Sequence, residues 1–115
     1  MADLLASDFT QEFFPASLPA PGGKSRRNKE ELLEFFTAAR GPEGIFESLL
    51  FAPPSDVVQG KDVVILHLKS EGTTKDGKKF NNEYMFTLRF SGEKIVYMGE
   101  FVDSKAVADF FPGGV

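Results

Sequence analysis

The residues best suited to chemistry in this chain lie towards its C-terminal end, where Glu100 interrupts an apolar row. The even positions Tyr84, Phe86, Leu88 and Phe90 share one side of a strand, and Met98 and Val102 continue that side on the strand that follows. A three-residue turn at Ser91–Glu93 sets Phe86 opposite Met98 and Tyr84 opposite Glu100. A carboxylate on such a face loses hydration, which disfavours its charged form and raises its pKa towards the range useful for general acid–base work. Tyr84 is placed to donate its hydroxyl to a developing enolate oxygen. His67, the only histidine, is the natural second proton carrier. Each has a plainer reading: Glu100 held by Tyr84 or a backbone amide without turnover, Tyr84 as packing with one hydrogen bond, His67 as a half-buried or surface strand residue.

Whether His67 shares the face of Glu100 depends on the turn at Asp76-Gly77. A two-residue turn sets His67 opposite Phe86, Ile65 opposite Leu88 and Lys69 opposite Tyr84, which brings His67 inward. A bulge or a longer turn brings Leu66 and Leu68 inward instead. With His67 inward, the opposite face carries Val64, Leu66, Leu68, Met85, Thr87, Ile95, Tyr97 and Phe101. That face is too apolar to be left in water as one patch, and the expected partner is a second copy in a two-fold homodimer.

The elements that position these residues are legible in order. After at most a short helical turn within Asp3–Ser7, Phe9–Phe14 is β-prone and closes at Pro15. Pro15–Gly23 holds three of the seven prolines and reads as a loop. Asn28 offers an N-cap to an amphipathic helix with Leu32, Leu33, Phe36 and Ala39 as its stripe, ended at Gly41-Pro42. Ile45–Val58 mixes helical and strand signals, and Pro53-Pro54 makes it an edge strand or breaks it. A meander follows over Asp62–Glu71, Lys79–Phe90 and Lys94–Asp103. Strands of about ten residues, some 33 Å if straight, call for strong curvature with kinks near Gly72 and Gly99. Asp103 or Ser104 caps a last helix, stopped at Pro112-Gly113-Gly114.

With 115 residues, 42% hydrophobic content and 13 phenylalanines, the chain builds one core. The absence of cysteine removes disulfides and thiolate chemistry and suits a cytoplasmic setting. A net charge of −4 argues against nucleic acid, and the basic cluster Lys24, Arg26, Arg27 and Lys29 reads as a solvated loop and helix start. No run of residues approaches a membrane span or a signal peptide. One histidine with scattered carboxylates lacks a metal-ligand cluster, and no glycine-rich stretch has phosphate-loop spacing, so neither metal nor cofactor is expected.

Asn82-Glu83-Tyr84, the Arg89-Phe90 close of the same strand, and Glu100-Phe-Val-Asp-Ser104 before an aromatic helix resemble the SnoaL-like branch of the NTF2-like superfamily, especially its small fungal members. Phe14-Pro15-Ala-Ser-Leu18 and Arg27-Asn-Lys-Glu-Glu31 fit the same group, and the resemblance runs from about Leu5 to Pro112. It implies a cone-shaped α+β fold, a strongly curved and mostly antiparallel sheet packed against few helices, as one domain over residues 1–115. Members usually begin with a long helix that closes the mouth of the cone. Here the chain starts almost at the first strand, so the mouth is either more open or covered by a neighbouring chain.

The superfamily includes ketosteroid isomerase, polyketide cyclases, dehydratases, epoxide hydrolases and non-catalytic binding domains. Against the isomerase, Phe14 stands where its base would precede Pro15 and Phe86 stands where its oxyanion-donor Asp would align, so that specific chemistry is not expected. Glu100 and His67 fall on positions that line its pocket. Asp103 is commonly retained in the resembling family, and its place before the last helix also makes it an N-cap. The resemblance thus implies a cofactor-independent isomerase, cyclase or dehydratase acting on a small hydrophobic carbonyl compound. His67, Tyr84, Glu100 and Asp103 are then the catalytic candidates, with Phe14, Phe36, Asn82, Phe86, Met98 and Val102 lining the pocket. The alternative is a non-catalytic dimeric module that binds a hydrophobic ligand or a protein. The phenylalanines at the isomerase's catalytic positions favour the second reading, and the polar trio favours the first.

Overall fold

The computed structural model of the chain describes residues 2–111. A 3-10 turn at Ala2–Leu4 enters β1 (Leu5–Phe14), and a loop with a second such turn at Pro21–Gly23 leads to β2 (Arg26–Asn28) and α1 (Lys29–Arg40). Then come β3 (Phe46–Phe51), β4 (Asp56–Gly60), β5 (Val63–Thr74), β6 (Lys79–Ser91), β7 (Lys94–Val102) and α2 (Ser104–Phe110). The expected helix stop at Pro112-Gly113-Gly114 lies outside the described residues. The strands form one sheet in the order β2-β1-β7-β6-β5-β3, antiparallel except where β1 runs parallel to β7. The long β5 pairs with β4 through its first half and with β3 through its second. Pro53 and Pro54 fall in the break between those two partners, where a residue without an N–H does least harm to a ladder. The result is the α+β architecture expected, a strongly curved and mostly antiparallel sheet with two helices.

Local chemistry explains the helix starts. Glu31 N–H donates to Asn28 Oδ1 (2.9 Å) and Asn28 N–H donates to Glu31 Oε1 (3.0 Å), a reciprocal capping box at α1. Asp103 Oδ1 accepts from the N–H groups of Lys105 (3.1 Å) and Ala106 (3.3 Å), which starts α2. Of the α1 stripe, Leu32 is buried and Leu33 and Phe36 pack beside it against Leu5 and Phe9, whereas Ala39 is exposed. A second cluster, Phe13, Leu68, Phe80, Tyr84, Val102 and Val107, is joined by Leu66, Phe86, Phe110 and Phe111. Both clusters lie on one face of the sheet, its concave side.

The register of β5 against β6 corrects the two-residue turn. Thr74 N–H donates to Lys78 O (2.9 Å) and Gly77 N–H donates to Thr74 O (3.0 Å), which encloses a three-residue loop with Gly77 at φ 88°. This is a tight turn followed by a left-handed glycine, and it shifts the pairing by one residue. Leu66 therefore stands opposite Phe86, Leu68 opposite Tyr84 and His67 opposite Met85. Leu66 and Leu68 face inward, and His67 faces out.

The β6–β7 pairing keeps the expected face but moves the partners by two. Ser91 pairs with Lys94 across Gly92-Glu93, and Val96 is an extra residue between the Arg89–Tyr97 and Phe90–Ile95 pairs. Glu100 consequently stands opposite Phe86, and Tyr84 opposite Val102. The face opposite the core is thereby smaller than expected. Val64, Leu66 and Leu68 leave it for the concave side, Ile95 packs with the Leu5 cluster, and Ile65 and Phe14 join Met85, Thr87, Tyr97 and Phe101.

Candidate active site

Glu100 belongs to a polar diagonal that crosses three strands on the concave face. On β1 the residues Phe9, Gln11 and Phe13 alternate inward and are all buried. Parallel pairing puts Gln11 beside Met98 and Phe13 beside Glu100, while the antiparallel edge strand puts Arg27 opposite Gln11. Arg27, Gln11 and Glu100 thus step across β2, β1 and β7. Gln11 Nε2 donates to Glu100 Oε1 at 3.3 Å. Arg27, only 5% exposed, donates through Nη2 to the Pro21 carbonyl and lies with Cζ 4.2 Å from the centre of the Phe35 ring, a cation–π contact under α1.

Electrostatics follow from this placement. Burial pushes the Glu100 carboxyl from its ordinary 4.5 up to about 7, against the opposing pull of the Gln11 hydrogen bond and the Arg27 charge. Burial also lowers Arg27 from its usual value, with Glu100 and Glu31 acting in the other direction. Tyr84 shares the face: its hydroxyl bonds Ser70 Oγ at 2.8 Å, and its ring lies between Phe86 (5.3 Å) and Phe51 (5.4 Å). Burial raises the Tyr84 pKa, as does the Glu100 charge, while hydrogen bonds from Ser70 and Asn82 oppose the rise. The phenol keeps its proton at neutral pH and remains a donor.

The floor around Glu100 is reachable. Leu66, Phe86, Leu88, Met98 and Glu100 are each half-buried: α1 packs mainly on β1 and β2, where Met98 joins the Leu5–Phe9–Leu32 cluster, and α2 packs on β6, where Leu66 and Phe86 join the Tyr84 cluster. A carboxylate of near-neutral pKa at the wall of such an apolar floor can take a proton from a bound carbon acid and return it.

Other candidates fall elsewhere. His67 lies on the convex face with Nε2 paired to Glu83 and stands opposite Asp56 and Met85, so it does not meet Glu100. Phe14 is also convex, stacked on Phe101 at 6.4 Å. It lines a groove of about 520 Å3 with Ile65, Met85, Thr87 and Tyr97. Phe36 lies on α1 and packs with the Leu5 cluster rather than with that of Tyr84. Asn82 is buried on the concave side opposite Ser70, its Oδ1 accepting from Glu83 N–H at 2.8 Å. Phe86 and Met98 form the floor, and Val102 is buried beside Tyr84. Asp103 is an exposed helix cap. Among the described residues, no group of three or more His, Cys, Asp or Glu is arranged to hold a metal ion, and no helix is long and apolar enough to cross a membrane.

Sequence reasoning missed Gln11, Arg27 and Ser70. A signal existed for Gln11, a polar residue alternating with Phe9 and Phe13 just as Glu100 alternates with Met98 and Val102. Arg27 had none: it sits in a three-residue strand inside what reads as a basic loop, and only the edge pairing turns it inward.

Comparisons with known proteins agree with the fold. A family model described as a SnoaL-like domain matches residues 1–98. No curated protein sequence matches the chain. Among solved structures, the BvnE pinacolase from Penicillium brevicompactum is 24% identical with a TM-score of 0.79, covering 97% of this chain and 78% of that one. An NTF2-like protein from Anabaena variabilis is 24% identical (TM-score 0.69; 90% and 72% covered), and AusH from Aspergillus nidulans is 23% identical (TM-score 0.69; 90% and 70%).

The buried carboxyl makes stability depend on pH. Between pH 4.5 and about 7 the folded chain keeps a proton on Glu100 that the unfolded chain releases, so this group's contribution falls as pH rises through that window and stays low above it. Glu100→Gln removes the ionisation and nearly keeps the shape. In urea denaturation its stability relative to wild type is expected to improve by about 3 kcal/mol between pH 4 and pH 8. A relative stability that does not change over that range would mean the charge is not buried.

Proposed function

The chain belongs to the SnoaL-like domain family and has the NTF2-like fold, and on that premise we propose that it is a cofactor-independent isomerase, cyclase or dehydratase acting on a small hydrophobic carbonyl compound. The ligand lies over Leu66, Phe86 and Met98. The observation that carries this reading is the Glu100 carboxyl, set in an apolar row with its pKa raised to about 7. As carboxylate, Glu100 takes a proton from the carbon next to the carbonyl. The C–H electron pair passes into the enolate, and charge collects on the carbonyl oxygen, for which the Tyr84 hydroxyl, on the same face and bonded to Ser70, is the proposed donor. Glu100, now protonated, returns the proton to a second atom of the ligand. Arg27 and Gln11 support the carboxylate, and His67 and Asp103 take no part. The fold shared with a fungal pinacolase supports the concave face as a reaction site.

The direct test is exchange of the α-protons of 1-indanone in D2O, followed by proton NMR. Wild type is expected to accelerate exchange with a rate that rises through pH 7, and Glu100→Gln to lose about a hundredfold or more of the acceleration. Equal exchange by both proteins would sink the acid–base reading. Binding of 1-indanone without exchange by either would leave the non-catalytic module.

The convex face supports a homodimer. Met85 and Phe101 are 44% and 51% exposed around the groove that Phe14, Ile65 and Tyr97 complete, and a second copy packed by two-fold symmetry covers that patch. In sedimentation equilibrium the wild type is expected to be a dimer and Met85→Lys/Phe101→Glu a folded monomer. A monomeric wild type contradicts this assembly.

A further inference from the structure

Gln11 is 5% exposed, its Nε2 is engaged by Glu100, and its Oε1 is sealed from solvent with no hydrogen-bond partner among the described residues. Buried polar atoms in folded proteins are nearly always paired, so an orphan at this spot asks for a reason. The neighbours supply no donor. Met98 on one side has none, and Arg27 on the other turns its guanidinium to the Pro21 carbonyl and the Phe35 ring. Reversing the amide does not help. Above pH 7, where Glu100 is ionised, its carboxylate accepts only, so the NH2 end belongs towards Glu100, and the reverse orientation leaves two buried donors in place of one acceptor.

We propose that Gln11 is a specificity-determining residue of the concave site, its Oε1 accepting a hydrogen bond from a hydroxyl that the hydrophobic carbonyl ligand carries beside its carbonyl carbon, so that the chain selects α-hydroxy ketones over simple ketones and their O-alkylated forms. The inference rests on the proposed function for where the ligand lies. The amide that meets Glu100 through nitrogen meets the ligand through oxygen, which holds the hydroxyl close to the carbon whose proton Glu100 takes. Engaging the ligand requires Oε1 to turn from its sealed position towards Met98, the neighbour of Gln11 on β7, a movement for which the broad last side-chain torsion of glutamine leaves room. The ligand hydroxyl then satisfies the one sealed acceptor of the site, and a ligand without a donor leaves it orphaned.

The test compares 2-hydroxy-1-indanone, 2-methoxy-1-indanone and 1-indanone in NMR titrations at pH 8. Wild type is expected to bind the hydroxy compound about tenfold more tightly than either of the others, and Gln11→Met to bind all three alike. Should Gln11→Met not fold, the Gln11 side-chain amide resonances of 15N-labelled wild type are read instead, and they shift with the hydroxy compound alone. Equal affinities in wild type, a preference that survives in Gln11→Met, or the same amide shift with all three overturns the assignment of Gln11. Binding of none of the three overturns it together with the ligand site. Because the preference is read from binding, it stands apart from the loss of exchange in Glu100→Gln, which tests the acid–base reading by itself.

Discussion

The site depends on one unfavourable placement, an ionisable carboxyl on the inner face of a sheet whose neighbours are Phe13, Phe86 and Met98. Removing a carboxylate from water is costly unless hydrogen bonds and opposite charge replace the lost hydration. Glu100 has one long hydrogen bond from Gln11 and the more distant charge of Arg27, so compensation is partial and the pKa settles near 7. A fully paired Glu100 would be an ordinary structural anion. Partial compensation is what makes the group able both to hold and to release a proton at neutral pH.

The surrounding fold serves that placement. A parallel pairing of β1 with β7 brings Gln11 and Phe13 alongside Met98 and Glu100, and the short β2 adds Arg27 at the edge. The helices pack on the concave side, α1 over β1 and β2 and α2 over β6, and the floor residues stay half-buried. On the proposed function, activity and stability are in tension at one residue. Neutralising Glu100 strengthens the folded state above neutral pH and removes the proposed acid–base group.

Most of this was legible in the sequence through alternation. Period-two patterning identified the face of Tyr84, Phe86, Met98, Glu100 and Val102 correctly even though the turn between β6 and β7 was two residues rather than three. The bulge at Val96 and the shorter turn together change the pairing by an even number, and an even shift preserves faces. The turn at Asp76-Gly77 changed the pairing by one, and an odd shift exchanges them. That is why His67 left the site and Leu66 and Leu68 entered it. Asn28 and Asp103 as helix caps were readable because capping is local. Arg27 was not, since its burial depends on an edge pairing between segments 16 residues apart (Arg27 and Gln11) that no local pattern announces.

The most direct measurement is the titration of the Glu100 carboxyl carbon in 13C-glutamate-labelled protein, assigned by comparison with Glu100→Gln. A midpoint of about 7 is expected in wild type and a higher one in Gln11→Met, because loss of the amide donor removes an interaction that favours the charged form. A midpoint in the ordinary glutamate range, near 4.3 on the reference scale, would contradict the burial of this carboxyl.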